Sequence, residues 1–249
     1  MKAIIIAAGS GKRLGKISEN LPKSLTDVNN KSILERQVES LRRNGVLDII
    51  VITGPNPEKF TFSHLRYTLD EDYEQHDILG SLMAAKNYIS GNVLILYSDI
   101  LFEDKIINTI LASTHDIGVV IDLDWKKAYE NRTMHPESEA ENVLLSENCN
   151  ILEIRKGIQN MKQIVGEFLG IVKLSSKGSE IWNKKYEELE KTHVGKFHHA
   201  PSLKKAYITD MIQELIDSKI RVEPIFISGK WCEIDTPQDL ERAKSLFTD

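Results

Sequence analysis

Near its N-terminus the chain runs Ala7-Ala8-Gly9-Ser10-Gly11-Lys12-Arg13-Leu14. Small residues let backbone N–H groups approach phosphate oxygens without a Cβ in the way, and Lys12 and Arg13 add positive charge at the same place. That chemistry suits a polyphosphate. Two other phosphate-binding glycine motifs do not fit. A dinucleotide fingerprint needs a small residue where Leu14 stands and an acidic residue after the second strand, which here ends Ile52-Thr53-Gly54. A P-loop needs glycine where Ile6 stands and serine or threonine where Arg13 stands. Two carboxylates lie where rigid backbone could present them to a divalent cation. Asp99 closes the apolar run Val93-Leu94-Ile95-Leu96-Tyr97-Ser98, and Asp235 precedes Thr236-Pro237. Taken singly, Asp99 reads equally well as a turn residue and Asp235 as an additional helix cap.

The elements that must position these groups alternate in type. Residues 2–7 form a continuous apolar run, the pattern of a strand covered on both faces. Ser32-x-x-Glu35 is a capping box; Ile33, Leu34, Val38 and Leu41 follow at helical spacing, and Gly45 supplies the stop. A second strand is expected at 48–53, and this β-loop-α-β order predicts a right-handed crossover. Further strands are expected at 66–69, 93–97, 117–123, 165–174 and 222–227, with strand-like runs around Val143 and Ile154. Helices are expected at 80–89, 104–112, 178–191 and 203–218, and a last one with Thr236 as N-cap and Pro237 in its first turn. Between 124 and 140 the pattern stops, which predicts an irregular, functional segment. The order predicts an α/β fold: a three-layer, Rossmann-like sandwich on a mixed, mainly parallel sheet, in a single domain over 1–249.

Composition narrows the partners. Among 249 residues, Lys and Arg number 32 and Asp and Glu 37, a net charge of −5. Nucleic-acid backbone, which needs a basic face, is therefore not expected as a partner. Cys149 and Cys232 form no metal spacing and read as reduced thiols. The first apolar run, from Ala3 to Ala8, is too short for a secretory segment or a membrane span. A cytoplasmic protein without membrane contact is expected, and a homodimer is left open.

The pairing of A-A-G-x-G-x-R with the later Leu21-Pro22-Lys23-Ser24-Leu25 resembles the nucleotidyltransferase superfamily of sugar-phosphate, phosphocholine and phosphonate cytidylyl- and uridylyltransferases. The resemblance implies an Mg²⁺-dependent enzyme. It implies that Ala7, Ala8, Gly9 and Gly11 cradle the nucleotide, that Arg13 binds the triphosphate and that Lys23 stabilises charge at the α-phosphate. It places the base and ribose on the backbone of Gly80 and Ser81, and the metal on Asp99 with Asp235.

The acceptor side is expected at about 122–210, against a nucleotide-binding part at about 1–115. Arg132 and His135, in the irregular segment, are candidates to grip an acceptor phosphonate. Tyr207 and Asp210 flank the apolar stripe of the helix expected at 203–218, and Lys156 is a further candidate anion contact. The irregular segment, Gly166-Glu167-Phe168-Leu169-Gly170 and the run 202–210 are similar to the nucleotidyltransferases associated with phosphoenolpyruvate mutase. That likeness implies CTP as donor and a small phosphonate acceptor, 2-hydroxyethyl- or 2-aminoethylphosphonate. Phosphocholine or a sugar 1-phosphate is the alternative acceptor. A catalytically inactive regulatory module of the same fold ranks below both, since Arg13, Lys23, Asp99 and Asp235 are all present.

Overall fold

The computed structural model describes residues 1–9, 12–17, 21–158 and 162–248; Gly11 of the glycine loop lies outside them. In chain order the strands are β1 (Lys2–Ala7), β2 (Asp27–Val28), β3 (Lys31–Ser32), β4 (Asp48–Thr53), β5 (Arg66–Leu69), β6 (Val93–Tyr97) and β7 (Ile100–Phe102), then β8 (Ile117–Asp122), β9 (Glu141–Leu145), β10 (Ile151–Lys156), β11 (Ile164–Leu174), β12 (Glu223–Ile227) and β13 (Trp231–Glu233). The helices are α1 (Ile33–Arg43), α2 (Ile78–Ala84), α3 (Asp104–Ala112), α4 (Lys126–Tyr129), α5 (Ser176–Thr192), α6 (Ile208–Asp217) and α7 (Pro237–Leu246).

β1 lies between β4 and β6, parallel to both, with Ile4 opposite Ile50 and Ile95. β5 extends this parallel side. β11 runs antiparallel to β6 and to β8, and β12 joins β8 in parallel. The first part of β11 pairs with β9, which carries β10 at the edge. The sheet is thus mixed, with one parallel group around β1 and a second parallel pair, β8 with β12. Successive residues Ile4 and Ile5 are both fully buried, so both faces of β1 are covered. α1 packs on α3, and α2 on β1 and α6. No helix among the described residues is long and apolar enough to cross a membrane.

The expected strands appear with ends shifted by at most a residue, and the Ser32–Glu35 capping box forms as expected. Two helices differ. The one expected at 80–89 starts earlier, at Ile78, and ends at Ala84. The one expected at 203–218 is broken into a short 3₁₀ turn, Leu203–Lys205, and α6. The break has a cause: the Lys204 and Ala206 carbonyls accept from Asp77 and Leu79 N–H, at 3.0 and 2.9 Å, and so cap the start of α2. The segment at 124–140 is not wholly irregular. α4 sits in it, anchored by buried Trp125 and Tyr129, whose rings meet edge to face.

β11 bends at Gly170, which has φ +68° and faces the Tyr97 ring so closely that a Cβ there would collide with it. Gly170→Ala is expected to cost about 2 kcal/mol, through the positive φ and the displaced ring. Chemical denaturation checks this: a midpoint equal to that of the parent would remove the constraint.

Candidate active site

Strand pairing brings the two sequence-distant aspartates together. β13 runs antiparallel to β7 with Glu233 opposite Ile100, and Ile234 N–H donates to the Asp99 carbonyl at 2.9 Å. Asp99, just before β7, and Asp235, just after β13, therefore meet at the C-terminal end of β6. α1 fixes the first of them: the Gln37 amide donates to the Tyr97 and Ile100 carbonyls, at 2.9 and 2.7 Å, clamping both sides of the Ser98–Asp99 turn. α7 fixes the second: Asp239 Oδ2 accepts from Asp235 N–H at 3.1 Å and Thr236 N–H at 2.8 Å. A small separate apolar cluster, with Leu14, Val28, Ile33, Leu101, Ile234 and Leu240 among its members, joins the N-terminal loop to β7 and α7 beneath these groups.

Lys23 stands between the two carboxylates. Its ammonium lies 2.6 Å from Asp99 and in short contact with Asp235. Burial alone would lower the lysine pKa, but Asp99 and Asp235 carry it above its ordinary value. Arg13, more than half exposed, reaches the same Asp235 at 2.7 Å. His135 Nδ1 lies 3.0 Å from the Asp235 carboxylate. Against the burial that would raise it, His135 and Lys23 hold the Asp235 carboxyl far below the usual range. Ala7 and Ala8 are buried, and Gly9 is exposed at the end of β1.

Two sets of side chains here could hold a metal. One is the expected pair, Asp99 and Asp235, already bridged by one cation; Asp99 Oδ1 is buried with no hydrogen-bond partner among the described residues. The other groups His135, Glu233 and Asp235, whose donor atoms lie within 4.8 Å of one another. Oxygen-seeking Mg²⁺ suits the aspartate pair, leaving the imidazole to orient Asp235.

From this corner a cleft opens between β6, β9, β11 and β13. Arg13, His135, Lys156 and Tyr207 line it. Lys156 lies over the Tyr207 ring, 5.4 Å from its centroid, and 3.5 Å from Glu139.

Two expectations need correction. Arg132 is not a free cation for an acceptor. It is buried, bonded to Asp239 at 2.6 Å and Glu233 at 3.1 Å, and stacked over Tyr129. Asp210 does not face the cleft either: its carboxylate accepts from Tyr207 N–H at 2.8 Å and His199 N–H at 3.3 Å, capping α6. Ser81 lies within α2, its N–H bonded to the Asp77 carbonyl and its hydroxyl to Asp70 at 2.7 Å. Gly80 is pressed against the Lys204 carbonyl and His76, where a Cβ would not fit. Both residues set how α2 packs, and Ile78 in its first turn is the residue of that helix lining the cleft.

The cleft also contains groups that were not among the expected site residues. Tyr97 OH donates to Glu141 at 3.2 Å, and Tyr129 OH donates to Glu167 in a short bond. Glu167 is a lone charge in the first half of an apolar run, the one signal that could have found it. Glu141 opens a strand and carries no such mark.

Residues 3–146 match the family described as MobA-like NTP transferase domain. Over 97% of its length the chain is 25% identical to CTP:phosphoglutamine cytidylyltransferase of Campylobacter jejuni, covering 98% of that protein. Over 46% of its length it is 35% identical to choline-phosphate cytidylyltransferase of Streptococcus pneumoniae, covering 52% of that one. It is similar in fold to the inositol-1-phosphate CTP transferase from T. maritima, with a TM-score of 0.75 at 19% identity, over 98% of this chain and 94% of the other.

Proposed function

The chain belongs to the family of MobA-like NTP transferase domains, and from that premise we propose that it transfers CMP from CTP to a small phosphonate, with phosphocholine or a sugar 1-phosphate as the alternative acceptor. The observation that carries the reading is Lys23 held between Asp99 and Asp235 beside Arg13, at the strand ends where α/β sites form. The choice of CTP rests on the relatives named as cytidylyltransferases. We assign the nucleotide to about 1–115 and the acceptor to about 122–210.

An oxygen of the acceptor phosphonate attacks the α-phosphorus of CTP. The bond from that phosphorus to the bridging oxygen breaks, and pyrophosphate leaves. The acceptor is already ionised near neutral pH and needs no general base. Arg13 binds the triphosphate and Lys23 meets the charge that develops at the α-phosphate. Asp99 and Asp235 would hold Mg²⁺, and the buried, unpaired Asp99 Oδ1 is a donor of the right kind. When bound, Mg²⁺ neutralises phosphate charge. His135 and the α7 N-terminus keep Asp235 oriented. Lys156, beside Tyr207, is the cation placed for the acceptor's phosphonate group.

The test is pyrophosphate release with Mg²⁺, crossing the four NTPs with 2-aminoethylphosphonate, 2-hydroxyethylphosphonate, phosphocholine and glucose 1-phosphate. Release with CTP and a phosphonate is the expected result. Release only with phosphocholine or the sugar phosphate would keep the chemistry and replace the acceptor. NTP binding without release for any acceptor would favour an inactive module.

A further inference from the structure

Orienting Asp235 uses only one nitrogen of His135. Nδ1 faces the Asp235 carboxylate at 3.0 Å. Nε2 is buried with no hydrogen-bond partner among the described residues, on a ring only 4% exposed. A carboxylate can only accept, so Nδ1 carries the hydrogen, and in the neutral ring Nε2 is a bare lone pair. It lies 3.5 Å from Glu233 Oε2. Two acceptors facing each other call for a positive charge between them. A shared proton would draw them to about 2.8 Å. Donors about 2.1 Å from a tetrahedral Zn²⁺ stand about 3.4 Å apart, which is close to the separation found.

We propose that His135 Nε2 and Glu233 are ligands of a second cation site, for a borderline dication such as Zn²⁺, separate from the Asp99–Asp235 pair. The donor atoms of His135, Glu233 and Asp235 lie within 4.8 Å of one another, so Asp235 is near enough to join the shell. Imidazole nitrogen is a good ligand for Zn²⁺ and a poor one for Mg²⁺, which takes oxygen. A metal-bound imidazole characteristically donates its other N–H to a carboxylate, and Asp235 already stands there. Charge favours uptake. Six carboxylates line the cleft against the cations Arg13 and Lys156. Lys23 and Arg132, which pair with three of those carboxylates, still leave them in excess. The ligands are also held in place beforehand. Arg132 fixes Glu233 at 3.1 Å, and the His135 ring packs on Tyr129 with centroids 6.0 Å apart. All three residues line the cleft, so the open positions of the ion face it.

Calorimetry on the metal-free protein, with Zn²⁺ or Mg²⁺ as the only ligand, tests this directly. Zn²⁺ is expected to bind at one equivalent and at least about a hundredfold more tightly than Mg²⁺. X-ray absorption at the zinc edge should show one imidazole nitrogen among oxygens. Equal affinities for the two metals, a sulfur ligand or a pair of imidazoles would overturn the proposal. Among variants, His135→Gln should weaken Zn²⁺ binding at least about tenfold, whereas Asp99→Asn should weaken Mg²⁺ and leave Zn²⁺ in place. Unchanged Zn²⁺ affinity in His135→Gln, or an equal loss in Asp99→Asn, would also overturn it. The parent measurements stand even if a variant does not fold. Pyrophosphate release is read separately. Zinc bound as described without release for any acceptor would keep the site and overturn the transfer reading; release with Mg²⁺ but no preference for zinc would do the reverse.

Discussion

Lys23→Ala is expected to lower kcat/KM by about a thousandfold, with the folded structure retained. Charge stabilisation of this kind by a single preorganised group is worth roughly 3–4 kcal/mol in the transition state. Lys23 is nearly buried, and its ammonium is held at one place by two carboxylates rather than free to swing. A water cannot supply the same fixed charge without reorganising. The fold survives because Asp235 keeps two other partners, Arg13 at 2.7 Å and His135 at 3.0 Å. Asp99→Ala should cut turnover comparably, by removing the other half of the pair.

The lysine variant has a second readout that does not depend on turnover. Without the ammonium, Asp99 and Asp235 repel, and a bound divalent cation relieves more repulsion than it does in the parent. Added Mg²⁺ should therefore raise the melting temperature of Lys23→Ala by more than it raises that of the parent. Near-normal steady-state turnover in the variant would remove Lys23 from the chemistry. An Mg²⁺ shift no larger than the parent's would argue that the two aspartates do not share a metal.

Arg132→Met tests the opposite kind of role, one of support. Its guanidinium neutralises fully buried Asp239 and half-buried Glu233. Removing one partner of a buried pair leaves an uncompensated charge and typically costs about 3–5 kcal/mol. The expected result is a loss of that order in unfolding free energy near neutral pH. The pH dependence has a definite sign. Burial would raise the Asp239 pKa, but Arg132 holds it below its ordinary value. The pair therefore contributes stability above the ordinary aspartate range and loses it as pH falls through the depressed value. In the variant those carboxyls protonate more readily, so the deficit against the parent should narrow on acidification. Denaturant midpoints at neutral pH and near pH 4 check this. A deficit that stayed constant with pH would mean that packing over Tyr129, not charge, is what Arg132 supplies.

The variant should also disturb the site at a distance. Asp239 Oδ1 accepts from Arg132 while Oδ2 accepts from Asp235 and Thr236 N–H, so one carboxylate connects the 132–135 segment to the loop that carries Asp235. The Gln238 side chain reinforces this by accepting from Thr133 and Met134 N–H, at 3.0 and 3.1 Å. His135 and Asp235 thus move together or not at all.

Much of this architecture is written locally. The apolar run at β1, the Ser32–Glu35 box and the Thr236-Pro237 start are short-range signals, and each requires only neighbouring residues to be physically meaningful. The glycine loop, Lys23 and the two aspartates likewise sit in contiguous motifs, which is why a family resemblance could point to them. What the sequence could not decide is which charges face substrate and which face each other. Arg132 and Asp239 lie 107 residues apart, and nothing near either one indicates the other. β7 and β13, three residues each, are too short to carry a period, yet their ladder is what brings Asp99 to Asp235. Glu141 becomes a cleft residue only because β9 pairs with β11 and Tyr97 stands on the adjacent β6. Local propensity and patterning are short-ranged, and they set the elements. The pairing of buried charges depends on which elements fold against one another, and the tertiary structure alone decides that.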